Sequence, residues 1–296
     1  MADAPVTVRA PAKLNLYLHV TGRRDDGYHL LDTLIAFADV GDVVTVRAAP
    51  GRTLALNTRG RFAKDLADEP DNLVLRAARA LRVAARIDAG AHIVLEKNLP
   101  VASGIGGGSA DAAAALKALT RLWGVALPEK AVLDIALGLG ADVPICWHGA
   151  PAFVGGIGEA IDPAPTLPPV GLVLVNPLVP VSTPAVFKAW QGGFQGKGRF
   201  AQTPTDAAHL CHLLGGRENG LTDAAQGVAP EVGHVLGAIA AEDGVLLTRM
   251  SGSGGTCFGL FGDDDGALDA AGRLADAHPD WWVAAGRLAR PRYGLS

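Results

Sequence analysis

The sequence predicts an α+β protein of two domains, and three observations carry that reading. Apolar residues alternate at strand period through residues 6–57 and recur at helical period after Asp71, so strands and helices come in runs rather than in strict alternation. Four prolines crowd into residues 163–169, a natural break between a first domain, 1–162, and a second, 170–296. Beyond the break the order is strand (171–176), helices, strand (244–249), strand (256–261), helix (266–277) and strand (281–288). That is a ferredoxin-like β-α-β-β-α-β order with extra helices inserted early.

The first domain opens on strands at 6–10 and 13–20. In the second of them Ala12, Leu14, Leu16, Leu18 and Val20 share one face, and Lys13, Asn15, Tyr17 and His19 share the other. The polar face is either an ordinary solvated sheet surface or part of a site. A turn at 22–27 delivers Tyr28 and His29 to a strand at 30–38. Strands at 42–48 and 53–57 follow, with Gly41-Asp42 and Pro50-Gly51 as turns. Asp71-Asn72 caps a helix whose apolar positions are Val74, Ala77, Ala78, Leu81 and Ala85.

Next comes a half-buried strand through Ile93 and Leu95, then the run Leu99, Pro100, Val101, Ala102, Ser103, Gly104, Ile105, Gly106, Gly107, Gly108, Ser109, Ala110 and Asp111. Ala112, Ala113, Leu116 and Leu119 continue at helical spacing to about Trp123. Glycine carries no Cβ, so backbone N–H groups can crowd around a bulky anion there, and the helix start adds about half a positive charge. A polyphosphate fits that chemistry; a purely structural turn is the plain alternative. No Gly-Lys-Ser/Thr follows the glycines, which excludes a Walker A loop. Glu96, Lys97 and Asn98 interrupt the apolar run that a dinucleotide-binding strand would need.

Pro128 opens a further helix that ends near Gly138 or Gly140. Asp142 follows among apolar neighbours, as either a turn cap or a partly desolvated functional carboxylate. Residues 152–158 close the first half. In the second half, residues 191–198 read as a mobile loop, and Ser251-Gly252-Ser253-Gly254-Gly255 forms a second glycine-rich loop, too long for a minimal hairpin turn.

Bulk properties exclude several classes. Of 296 residues 49% are hydrophobic, which fits a well-buried globular chain, and a net charge of -4 argues against a general nucleic-acid surface. No apolar run is long enough for a membrane span, and Met1 to Pro5 lack the features of a secretory leader. Cys146, Cys211 and Cys257 are scattered and odd in number, which suits a reducing cytoplasm. His209, Cys211 and His212 read as one turn of a helix in preference to a metal site.

Three segments now stand in order: Pro11-Ala12-Lys13-Leu14-Asn15-Leu16, the Gly104–Ser109 loop, and Ser251–Gly255. Together they resemble the three motifs of the GHMP small-molecule kinases, across nearly the whole chain. The resemblance implies an N-terminal ribosomal protein S5 domain 2-like fold carrying the ATP site, beside a C-terminal ferredoxin-like domain. Asp26-Gly27-Tyr28-His29, Asp71-Asn72-Leu73, residues 139–144 and Thr183-Pro184-Ala185-Val186-Phe187 are similar to the members that phosphorylate the 2-hydroxyl of a cytidine-diphosphate-linked methylerythritol. It further implies that Asp142 takes the hydroxyl proton, that Lys13 keeps Asp142 ionised and counters charge at the γ-phosphate, and that Asn15 orients the group. ATP would lie along residues 100–110, with Asn72, Leu73 and Lys97 at the adenine. Magnesium would be held at the Ser109 hydroxyl, with Asp111 reaching it through water. Tyr28 and Phe187 would sandwich the cytosine and His29 would read its edge, with Thr183 and Gly254 also on the acceptor. The implied partner is a small cytidine diphosphate compound, with no nucleic acid or membrane, and the protein a monomer or weak homodimer. A mevalonate, homoserine or sugar kinase of the same family is the alternative.

Overall fold

The computed structural model describes residues 4–66 and 71–288, so Met1 to Asp3, read above for a leader, lie outside the described residues. Strand β1 (Val6–Arg23) and strand β2 (His29–Ala49) run antiparallel along almost their whole lengths. The sequence pattern divides each into two shorter strands, and the structure does not. Pro11 sits at a register shift instead of a strand end. Gly41 is no turn either: it pairs with Pro11, and a Cβ there would stand 2.4 Å from the Ala10 carbonyl oxygen. Close approach of two backbones, rather than chain reversal, explains the glycine.

The first half continues with β3 (Leu54–Arg59), α1 (Leu73–Ala85), β4 (Gly90–Glu96), α2 (Gly107–Leu122), α3 (Glu129–Leu139), α4 (Val143–His148), β5 (Ala152–Gly156) and β6 (Ala160–Pro163). Asn72 caps α1 by accepting from the Val74 N–H at 2.8 Å, and Val74, Ala77, Ala78 and Leu81 form its buried stripe. Strands β4 and β5 pair with opposite ends of β2. The alanine-rich α2 is buried on most sides, its small side chains letting it nest among Val44, Val46, Ile93, Leu95 and Leu81. The single-turn α4 was not legible in the sequence; Pro144 in its first turn starts it directly after Asp142.

The second half comprises β7 (Val170–Asn176), α5 (Thr183–Ala189), α6 (Ala207–Gly215), α7 (Thr222–Val228), α8 (Glu231–Ala240), β8 (Val245–Met250), β9 (Cys257–Phe261), α9 (Asp264–Ala277) and β10 (Trp282–Leu288). Its strands order as β8-β9-β7-β10, all antiparallel, the ferredoxin-like arrangement that the sequence predicts. Leu288 of β10 meets Ala38 of β2, which makes one continuous sheet across the two halves. Leu14, Leu16 and Leu34 pack there with Leu172, Leu174, Phe258 and Leu260.

The loop expected to be mobile is a pinned strap. Gln195 exchanges hydrogen bonds with the Val20 backbone at 2.8 and 3.1 Å, and the Gly196 carbonyl lies 2.7 Å from His19 Nδ1. Buried Asp32 accepts from Gly198 N–H at 2.8 Å, Arg199 Nε at 2.7 Å and the Tyr17 hydroxyl at 2.7 Å. Burial works to raise the Asp32 carboxyl, but the hydrogen bonds from Arg199, Tyr17 and Gly198 outweigh it and hold the group below the ordinary carboxylate range. A depressed folded value means that this stabilisation is complete above the unfolded value and is lost as pH falls through the folded one. Asp32→Asn is therefore expected to cost about 2 kcal/mol in urea unfolding at neutral pH. The gap from wild type closes as the pH falls through and below the ordinary carboxylate range; a gap that stays constant would take the charge out of the strap's anchorage.

Candidate active site

Lys13 is the fixed point of the site. Its backbone N–H donates to the Ile105 carbonyl at 2.9 Å, which ties β1 to the glycine loop. Its side chain, 6% exposed, places Nζ 3.2 Å from Asp142 Oδ2 and 3.1 Å from Asn15 Oδ1. The two ends of the pair come from β1 and from the cap position of α4, far apart in the chain. Asp142 is 43% exposed, so its carboxylate opens to a ligand while one oxygen stays on the ammonium. Asp142 makes no side-chain capping bond to α4, which removes the plain capping reading.

The loop that follows β4 forms a cradle. Gly106 caps α2 in the left-handed region at φ +64° with no side-chain capping bond, which leaves the first N–H groups of the helix to an incoming anion. A Cβ at Gly106 would lie 3.0 Å from Lys13 Cε, so its absence lets the lysine stem pass beneath the loop. The second glycine loop backs the first. Ser251 Oγ accepts from Asn15 N–H at 3.2 Å and donates to the Gly104 carbonyl at 3.1 Å, and Thr256 N–H donates to the Ser103 carbonyl at 3.0 Å.

One cavity of about 770 Å³ joins these parts. Asn72, Leu73, Lys97, Val101 to Gly104 and Gly106 to Ser109 line one stretch; Lys13, Asn15 and Asp142 stand in it; Thr183, Phe187, Gly252 and Ser253 line another. Thr183 Oγ1 and Ser253 Oγ lie 2.6 Å apart. Pro100, Ile105 and Ala110 are off the wall, the last two buried in the core. Gly254 is also off it, because a Cβ there would point at Met250 Sδ, 2.9 Å away.

Three further residues find partners that the sequence does not show. Lys97 lines the cavity, and its ammonium is buried between Asp42 Oδ2, at 2.5 Å, and Asp111 Oδ2, at 2.9 Å. Burial opposes its charge, but the two carboxylates more than offset that. Asp111 lies in the second turn of α2, buried, where desolvation lifts its carboxyl well above the ordinary range against the pull of Lys97. Its Oδ2 is engaged by Lys97, while its Oδ1 is buried with no hydrogen-bond partner at the cavity wall. Phe187 stacks on His29, at 5.1 Å between ring centroids, and Trp190 closes edge-on against His29 at 5.3 Å. Tyr28 is 64% exposed. Burial, followed by the Arg23 charge, keeps His29 below the usual imidazole range.

Sequence reasoning missed Asp42, which also accepts from the N–H groups of Asn98 (2.5 Å) and Leu99 (2.8 Å) and so fastens the loop's entry. It was hidden in an apparent Gly-Asp turn. Ser251 and Ser253 were visible only as members of a glycine-rich run. Among the described residues no three His, Cys, Asp or Glu side chains converge to hold a metal, and the His209–His212 turn lies on α6 with Cys211 buried.

Comparison with known proteins agrees with this geometry. Residues 72–150 match the GHMP kinases N terminal domain and residues 206–280 the GHMP kinases C terminal family. A curated protein of Paramagnetospirillum magneticum, named 4-diphosphocytidyl-2-C-methyl-D-erythritol kinase, is 54% identical over 95% of this chain and 98% of its own length. A crystal structure of 4-(cytidine 5'-diphospho)-2C-methyl-D-erythritol kinase superposes with a TM-score of 0.76 at 34% identity, covering 96% of this chain and 99% of that one. Homoserine kinase from Cytophaga hutchinsonii shares the fold at 18% identity, with a TM-score of 0.73 over 97% and 96% of the two chains.

Proposed function

The chain belongs to the GHMP kinase family, and from that premise we propose that it transfers the γ-phosphate of ATP to the 2-hydroxyl of 4-diphosphocytidyl-2-C-methyl-D-erythritol. The observation that carries the chemistry is the Lys13–Asp142 pair, 3.2 Å apart in the same cavity as a glycine cradle at a helix start. Phosphoryl transfer asks a protein mainly for position and charge. Asp142 takes the proton of the attacking hydroxyl. Lys13, 3.2 Å from that carboxylate, fixes its direction and offsets charge on the γ-phosphate, and Asn15 orients Lys13. The N–H groups at the start of α2 receive the polyphosphate. The Ser109 hydroxyl, with the unpartnered Asp111 Oδ1 behind it, would hold the magnesium of an ATP complex, which would supply further charge neutralisation at the phosphates. The two halves, 1–162 and 170–296, act as domains that present the nucleotide and the acceptor from opposite sides of Lys13.

The acceptor's name comes from relatives at about half identity over nearly full length. Its cytosine stacks on the cavity-facing ring of Phe187, with Tyr28 as the second surface and His29 at its edge. An assay of ADP release tests the whole reading. The diphosphocytidyl acceptor is expected to be turned over, and mevalonate, homoserine and galactose are not; a preference for any of those three reverses the assignment. Phe187→Ala is expected to raise KM for the cytidine acceptor about tenfold, in line with the loss of one stacking face, and to leave KM for ATP within about twofold. Equal rises for both substrates would take Phe187 off the acceptor.

A further inference from the structure

The aim of Lys13 is set by a line of hydrogen bonds that begins on a backbone carbonyl. Thr33, on β2, donates its hydroxyl proton to the Tyr17 carbonyl of β1. That carbonyl can only accept, so the single Thr33 proton is committed to it. What Thr33 then offers its other neighbour is a lone pair, and Asn15 Nδ2–H donates to it at 2.9 Å. Asn15 must consequently turn Oδ1 toward Lys13, whose Nζ donates to it at 3.1 Å and stands 3.2 Å from Asp142 Oδ2. The reversed amide would set N–H groups against an ammonium and a carbonyl lone pair against the threonine lone pair, so both neighbours reject it.

Burial makes the line rigid. Thr33 is 3% exposed and Asn15 and Lys13 are each 4% exposed, leaving little water to replace a lost partner. Tyr17, which anchors the line, is itself held by its hydroxyl on Asp32 at 2.7 Å. Asn15 is further fixed by its own N–H on Ser251 Oγ.

We propose that Thr33 is a positioning residue for phosphoryl transfer, acting through Asn15 to hold the Lys13 ammonium on Asp142. The proposal rests on the reading of Lys13 and Asp142 as the reacting pair. Its action is on the chemical step: Thr33 lines the cavity beside Asn15, and what it supplies is a fixed donor direction.

The test is steady-state kinetics on Thr33→Val, Thr33→Ser, Asn15→Ala and the Thr33→Val/Asn15→Ala double variant, with the melting temperature of each. Thr33→Val keeps the shape and removes the hydroxyl; it is expected to lower kcat about tenfold or more with KM for both substrates within about twofold. Thr33→Ser restores the hydroxyl and is expected to return kcat to within about threefold of wild type. If Thr33 acts through Asn15, the double variant loses no more than Asn15→Ala alone. A Thr33→Val protein that melts lower yet keeps wild-type kcat overturns the proposal, as do additive losses in the cycle or a serine variant as slow as the valine one. Should Thr33→Val not fold, Thr33→Ala takes its place in every arm. Wild type that releases no ADP with the diphosphocytidyl acceptor refutes the acceptor assignment alone, and the cycle is then read on the acceptor that wild type does phosphorylate.

Discussion

Asp142→Asn is expected to lower kcat at least about a hundredfold while the affinity for ATP stays within about twofold, because a positioned base contributes roughly 10²–10⁴ in rate. Asparagine keeps the size of the side chain and an oxygen for Lys13, so the geometry at 3.2 Å has no reason to change. What it loses is the capacity to receive a proton. The cradle at the start of α2 lies on separate residues, and the ion pair of Asp142 is with Lys13 on β1. Turnover by ADP release and ATP binding by calorimetry separate the two effects. Near-normal turnover would remove Asp142 from the base role; loss of ATP binding would place it in the nucleotide site.

The second large effect is expected at Gly104. Its φ of +76° is in the left-handed region, where a side chain costs about 1–2 kcal/mol. Space is the greater obstacle. A Cβ would meet the Gly254 carbonyl oxygen at 2.5 Å and the Ser251 carbonyl oxygen at 2.8 Å, both backbone atoms that no rotamer change can move. Gly252 faces the same wall from the other side, its Cβ position 2.8 Å from the Gly104 oxygen. Gly104→Ala therefore pushes the two glycine loops apart and disturbs the cradle together with the Ser251 bridge. A melting temperature lower by several degrees and a KM for ATP raised about tenfold or more are expected. Gly138→Ala is the control for stability, since open space surrounds its Cβ position. A Gly104→Ala protein as stable and as tight for ATP as wild type would mean that the loops do not depend on each other.

Much of this was written in the sequence where period and chemistry coincide. Asn72 before an apolar helical stripe gave α1 with its cap, and the β-α-β-β-α-β order of the second half gave the strand order of its sheet. Lys13, Asn15 and the glycine run were legible because residue type and spacing both carry the chemistry. Other features depend on neighbours distant in sequence. Gly41 looks like any turn glycine until Ala10 is seen packed against it. The glycines at 192, 193, 196 and 198 suggest mobility, yet the hydrogen bonds that pin the strap come from Val20 and Asp32 on other strands. Lys97 carries no sign of its partners in the sequence around it, and only the fold brings Asp42 and Asp111 to it. The contact of Phe187 with His29 is hidden for a related reason: Phe187 rides on α5, and which ring at the start of β2 it meets is set by how the halves close.

The joint at Leu288 and Ala38 bears on how the molecule is made. β10 is the last strand among the described residues, yet it lies between β2 and β7 in the sheet path. A nascent chain can pair β1 with β2 early, but the seam to the other half waits until residue 288 has left the ribosome. Until then the sheet path between β2 and β7 stays open, and closing it pairs segments far apart in the chain, which is intrinsically slow. Long-range closure late in synthesis is thus built into the topology, whereas the lining of the cavity, which runs to Ser253, is already made before β10 emerges.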